Sequence, residues 1–161
     1  MLIRVDDLQG PEIAALLDTH LANSRRFSPP GSIHALDLVA LRAPDITFWT
    51  IWEDSELLGC AALRELSPIS GELKSMHTAE QHRGRGIASA MLRHVIAEAE
   101  QRSYREIYLE TGSTEGFRPS RKLYRKFGFV RCDPFGNYKL DPNSVHLRLD
   151  LTVRSATRTD A

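Results

Sequence analysis

Arg83-Gly84-Arg85-Gly86-Ile87-Ala88 lies between two different periodicities. Upstream, Glu72 to Ala79 reads as a strand that follows the Pro68-Ile69-Ser70-Gly71 turn. Downstream, Ile87, Met91, Val95 and Ala99, with Leu92 and Ile96 beside them, repeat with a helical period as far as Gln101-Arg102. A helix start leaves four backbone N–H groups without intrahelical partners, and glycines let that backbone approach a phosphate closely. Arg83 and Arg85 add positive charge at the same point, so the segment is suited to an anion. A P-loop would require Lys-Ser or Lys-Thr after the glycines, and a dinucleotide fingerprint would require Gly or Ala where Ser89 stands; the sequence has neither.

Outward from this loop the chain alternates strands and helices. Residues 2 to 5 form an edge strand, and Pro11 stands where a first helical turn tolerates proline. Ile13, Leu16, Leu17, His20 and Leu21 give that helix one apolar face, and Ser28-Pro29-Pro30-Gly31-Ser32 breaks the chain. A second short helix is expected from Ile33 to Arg42, ended by Ala43-Pro44. Thr47 to Glu53 and Glu56 to Leu66 are strands separated by Asp54-Ser55, a hairpin spacing. After the long helix come a strand over Ile107 to Thr111, a helix from Ser120 to Phe127 closed by Gly128, and last strands over Phe129 to Cys132 and Val145 to Leu151. Residues 152–161 read as a loose polar tail. This order predicts an α/β (α+β) fold, a mixed sheet with helices on its faces, in one domain over residues 1–151.

Two segments together carry a family resemblance. Arg83, Gly86 and Ala88 make Arg-x-x-Gly-x-Ala, and Leu123-Tyr124-Arg125-Lys126-Phe127-Gly128-Phe129 follows after another strand. On these residues the sequence resembles the GNAT superfamily of acetyl-CoA-dependent N-acetyltransferases, whose pyrophosphate loop reads [QR]-x-x-G-x-[GA] and whose second signature reads LYxKxGF. The order of elements is similar over nearly the whole chain, which implies a mostly antiparallel twisted sheet of six to seven strands. Glu72 to Thr78, Leu109 to Ser113, Pro134 to Tyr138 and Asp141 to Val145 look like a bacterial subgroup often labelled indole-acetic-acid acetyltransferases. Indole nitrogen keeps its lone pair in the aromatic system and is a poor nucleophile, so that label does not by itself name the acceptor.

The resemblance implies roles. The strand ending Met76-His77-Thr78 would splay from its neighbour and offer backbone groups to the pantetheine arm of acetyl-CoA. Arg83, Gly84, Arg85, Gly86, Ile87 and Ala88 would hold its pyrophosphate. Tyr124 matches the tyrosine that protonates the departing thiolate; a phenol with an ordinary pKa near ~10 is protonated at neutral pH. The base that removes a proton from the amine is left among Glu72, Glu110 and His77. Many members place Asn near the end of the strand where this chain reads Thr111-Gly112-Ser113, so Thr111, Ser113 or Ser120 would take over that cofactor contact. Arg25 to His34 and Phe135 to Tyr138 would flank the acceptor, with Arg25, Arg26, Ser28 and His34 able to meet an anion. The implied activity is acetyl transfer to a primary amine of a small molecule. An acetyl-CoA sensor without turnover and an enzyme acting on a protein amine are the alternatives. A homodimer is a further expectation of the resemblance.

Composition narrows the remaining classes. Of 161 residues, 42% are hydrophobic and 26% charged, a globular balance. Lys plus Arg and Asp plus Glu number 21 each, which disfavours a general nucleic-acid or membrane-surface binder. The balance is unevenly divided: residues 71 to 126 carry a net charge of +4 and the rest −4. The basic excess thus falls on the segment proposed to meet CoA. Cys60 and Cys132 form no CxxC pair, and no secretion signal or apolar run of spanning length appears, so a reduced cytoplasm is expected. The six histidines and two cysteines show no zinc-ligand spacing, so no metal is expected, and no GxSxG is present.

Overall fold

Pro11 opens the first helix, α1 (Pro11–Phe27), whose Ile13, Leu16 and Leu17 are buried on one face. The structure is a computed structural model, and it describes residues 1–153. Before α1 lies β1 (Leu2–Val5); after it come β2 (Ile46–Glu53), β3 (Glu56–Ser67) and β4 (Ser70–Thr78). These four strands form an antiparallel meander, β1 against β2, β2 against β3 and β3 against β4. The glycine loop then leads into α2 (Ile87–Gln101), followed by β5 (Glu106–Gly112), α3 (Arg118–Lys126), β6 (Val130–Arg131) and β7 (Ser144–Asp150). The sheet has seven strands in the order β1-β2-β3-β4-β5-β7-β6. Strands β4 and β5 are parallel, as a crossover through a helix requires, and the other pairs are antiparallel.

Alternation along the strands sends side chains to two cores. Trp49, Ile51, Leu63, Leu73, Ile107 and Leu109 pack under the α2 face made by Ile87, Met91, Leu92, Val95, Ile96 and Ala99. Phe48, Cys60 and Ala62 point the other way, onto Ile13, Leu16 and Leu17 of α1. The expected mixed sheet with helices on both faces is what forms. The helix expected from Ile33 to Arg42 does not form; only a 3₁₀ turn at Ala40–Arg42 does. Leu36 and Leu38 both pack on the α1 core, and residues two apart cannot share one face of a helix. The polar tail expected over residues 152–161 lies, from residue 154 onward, outside the described residues.

Two departures from regular pairing in the middle of the sheet create the site. Opposite β3, Lys74 pairs with Ala62 and His77 with Cys60, so Ser75 and Met76 together oppose Ala61. This is a β-bulge, and Ser75 takes a left-handed φ of 53° within it. The extra residue reverses the alternation of β4. Met76 packs with the α2 core, whereas His77 turns to α1 and meets His20 with ring centroids 5.0 Å apart. On the opposite edge, β4 pairs with β5 from Ser70↔Glu106 to Leu73↔Leu109 and no further, although β4 continues to Thr78 and β5 to Gly112. The strands part there.

Candidate active site

A cleft of about 500 Å³ fills the gap between the parted ends of β4 and β5. The glycine loop forms one end. Gly84 and Gly86 have φ of 77° and 78°, the left-handed region. A Cβ on either would meet nothing within 4 Å, so glycine is needed for the backbone angle and not for room. Gly86 caps α2 without a side-chain hydrogen bond, and the first amide to bond back is that of Ala90, to the Gly86 carbonyl at 3.0 Å. The amides of Ile87, Ala88 and Ser89 precede that bond at the mouth of the helix, and these residues line the cleft with Arg83, Gly84 and Gly86. Arg85 does not line it. One guanidinium nitrogen of Arg85 donates to Glu53 at 2.6 Å and another to Nδ1 of His82 at 2.8 Å, while Nε2 of His82 reaches Glu56 at 2.8 Å. Arg85 therefore braces the loop against the β2–β3 hairpin.

Met76, His77 and Thr78 line the cleft where the β4 edge is released from β5, and Thr111 lines it from the β5 side. Ser120 faces it from α3, whereas the Ser113 hydroxyl donates to the Pro142 carbonyl at 2.8 Å. Burial lowers the pKa of His77 to about 3, with His20 and Arg83 adding to the effect, and that of His20 to about 4. Both imidazoles are neutral at pH 7, and His77 is a weak proton acceptor.

Tyr124, from α3, is 7% exposed and packs edge-on to Phe129 at a centroid distance of 5.7 Å. Burial, reinforced by the charge of Glu110, raises its phenol above the ordinary value. Glu110 lies on the β5 wall, partly exposed. Burial pushes its carboxyl up to about 7; Glu72 and Asp141 push the same way, and Ser144 and Lys74 oppose them. Glu72 is placed differently. Its Oε2 accepts from the Tyr138 hydroxyl at 2.6 Å and from Nζ of Lys74 at 3.2 Å, and Lys74 also donates to the Tyr138 oxygen at 3.0 Å. The side chains of Lys74 and Glu72 are 7% and 4% exposed, so this triangle is closed almost entirely from water.

The sequence expectations named Glu72 without its two partners. Alternation does place Glu72 and Lys74 on one face of β4, but Tyr138 reaches them from a long loop whose path no local pattern sets. That loop also stacks Phe135 on Tyr108 at 4.8 Å and brings Tyr138 against His34 at 4.9 Å. Of the segment after α1, Ser28, Ser32, Ile33 and His34 line the cleft, and the Ser32 hydroxyl donates to Asp141. Arg25 and Arg26 do not line it, and Arg26 lies over the ring of Phe27, 5.1 Å from its centroid. Among the described residues there is no group of three potential metal ligands and no helix long and apolar enough to cross a membrane.

Comparison with known proteins converges on one family. Residues 14–129 match the Acetyltransferase (GNAT) family. The chain is 51% identical over 147 residues to the uncharacterized N-acetyltransferase YsnE of Bacillus subtilis (strain 168), covering 91% of this chain and 97% of YsnE. It is 35% identical over 136 residues to the IAA acetyltransferase of Azospirillum brasilense, covering 84% and 86% of the two chains. A GNAT family acetyltransferase of Elizabethkingia anophelis, crystallised with acetyl-CoA bound, shares the fold with a TM-score of 0.68 at 19% identity, over 92% of this chain and 97% of that one. The matched stretch runs from the first turn of α1 through the bulged β4, the glycine loop and α3, and the chain belongs to the GNAT family of N-acetyltransferases.

Proposed function

We propose that this protein moves the acetyl group of acetyl-CoA to a primary amine of a small molecule by direct attack. The observation that carries this reading is the pairing, in one cleft, of a buried phenol held protonated and a partly exposed carboxyl held near 7. The cleft suits the co-substrate. The amides of Ile87, Ala88 and Ser89 with Arg83 would meet the pyrophosphate, and the released edge of β4 at Met76 to Thr78 would hydrogen-bond the pantetheine amides. Gly84 and Gly86 shape the loop, Arg85 braces it, and Thr111 lines the facing wall.

Glu110 takes the proton from the incoming ammonium; a carboxyl near 7 is half ionised at neutral pH, the useful compromise for a base. Glu72 is already engaged, with Lys74 and the Tyr138 hydroxyl both donating to its Oε2 and its side chain 4% exposed, so Glu110 is the better placed of the two to meet the amine. The freed amine nitrogen attacks the thioester carbonyl carbon, and a backbone N–H of the β4 edge stabilises the oxygen of the tetrahedral intermediate. As the C–S bond breaks, Tyr124 gives its proton to the sulfur and regains one from the second amine hydrogen through solvent. An amide, a free thiol and one proton result. The relative's name, IAA acetyltransferase, points to an indole acid; the indole nitrogen lacks the free lone pair this chemistry uses.

The test is an acceptor panel followed by thiol release, with acetyl-CoA binding measured separately by calorimetry. Thiol release with an amine supports the reading. Tight acetyl-CoA binding with no release for any amine would replace it with a sensing role.

A further inference from the structure

The acceptor half of the cleft is bounded by α1, the segment after it, the bulged part of β4, the end of β5 and Tyr138. Among the described residues, its charged lining side chains are Glu72, Lys74 and Glu110. The lysine is already occupied: Nζ donates to Glu72 and to the Tyr138 hydroxyl, and its side chain is 7% exposed. Asp141 adds a further negative charge behind Ser32. The other nearby cations do not line this half: Arg64 pairs with Asp45, and Arg121 donates to the carbonyls of Gly112 and Thr114. Arg25 and Arg26 do not line the cleft, Arg83 belongs to the pyrophosphate end, and Arg85 is held by Glu53 and His82. His20, His34 and His77 line the same half, and burial favours the neutral form of each.

A carboxylate brought into this half would leave water, face Glu110 and Glu72, and find no unpaired cation. An ammonium would meet the opposite situation, with the Glu110 carboxylate, serine hydroxyls and the side-chain amide oxygen of Asn23 available as acceptors. We infer that the acceptor is an amine that carries no carboxylate, its non-reacting part being neutral or itself cationic, and that free α-amino acids are excluded by charge. This rests on the acetyl-transfer reading above and goes beyond it by naming the acceptor class. It also reverses the sequence expectation that Arg25, Arg26, Ser28 and His34 meet an anion.

The experiment uses matched pairs differing by one carboxylate: cadaverine and lysine, tyramine and tyrosine, tryptamine and tryptophan, histamine and histidine. Each compound is measured twice on the full chain, by thiol release with acetyl-CoA and by the shift in Tm it produces in the presence of CoA. The decarboxylated member should show kcat/KM about tenfold or more above its amino acid, the size expected when like charges are brought together in a partly buried site. The methyl esters of the same amino acids, larger but uncharged at that end, should recover the rate. Amino acids that match or exceed their amines overturn the inference. So do esters as poor as the free acids, because size would then be the cause. An amine that raises Tm with CoA but releases no thiol upholds the acceptor class while overturning acetyl transfer, and failure of every amine to bind or react overturns the class itself.

Discussion

At the scale of single residues, the proposed acid and base, Tyr124 and Glu110, differ in their surroundings. Removing the phenolic hydroxyl in Tyr124→Phe should lower kcat by about 10²–10⁴-fold while leaving the calorimetric Kd for acetyl-CoA unchanged. Glu110 joins activity and stability with opposite signs. Its carboxyl is raised from an ordinary value of 4.5 to about 7, so the folded protein holds a proton that the unfolded chain has already lost. Activity needing the ionised form should rise as pH passes through about 7, and Glu110→Gln should lower kcat/KM and flatten that limb. Stability contributed by the protonated carboxyl is complete below about 4.5 and is lost as pH rises through about 7, because the folded state then binds more protons than the unfolded one. Glu110→Gln should therefore raise Tm at pH 8 by more than at pH 5. A third contrast concerns neighbouring arginines. Arg83→Ala should weaken acetyl-CoA binding by several-fold, the loss of one charge-assisted contact. Arg85→Ala, which removes only the brace to Glu53 and His82, should weaken it less in the same titration.

At the scale of elements, the glycine loop and the β4 bulge both use left-handed backbone, but they were not equally legible. Gly84 and Gly86 mark their own conformation, and the helical repeat that begins at Ile87 locates the unpaired amides of the α2 start from the sequence. Gly86→Ala should cost about 1–2 kcal/mol of backbone strain with no steric clash, visible as a lower denaturation midpoint and weaker acetyl-CoA binding. The bulge carries no such mark, because Ser75 is an ordinary residue in an ordinary alternating run. Only pairing with β3 shows that it takes a φ of 53°, with its hydroxyl buried and unpartnered. Ser75→Gly removes both the strain and the orphan hydroxyl, and the denaturation midpoint should rise. The same blindness explains the surroundings of Glu72. A strand pattern shows which residues share a face, so Glu72 and Glu110 could be found as candidates. It does not show which of them a distant loop will cover, and Tyr138 settles that by closing over Glu72 and leaving Glu110 open. The segment from Ile33 to Arg42 failed as a helix for a related reason: Leu36 and Leu38 answer to the α1 core and not to a local period.

At the scale of the whole molecule, the uneven charge of the sequence acquires a location. Of the basic residues in 71 to 126, Arg83 lines the glycine-loop end of the cleft and the α3 cations do not, while Glu72 and Glu110 of the same segment line the acceptor half, so the cleft itself carries opposite charges at its two ends. Raising ionic strength should weaken acetyl-CoA binding in calorimetry more than burial of its uncharged arm alone would allow. The parting of β4 from β5 also has a mechanical meaning. Four residue pairs, Ser70↔Glu106 to Leu73↔Leu109, are all the ladder that joins a four-strand half-sheet to a three-strand half-sheet. Beyond them the fabric is torn, and the unbonded selvedge of β4 awaits a strand that none of the described residues supplies. A pantetheine arm laid there would act as a splint, knitting the two halves with its own amides. Hydrogen exchange at residues 76 to 78 should then slow on acetyl-CoA binding, and saturating acetyl-CoA at about 100 times Kd should stiffen the molecule globally by about 2.7 kcal/mol. On this view the acetyl donor is also a temporary piece of secondary structure, and each turnover mends the sheet and opens it again.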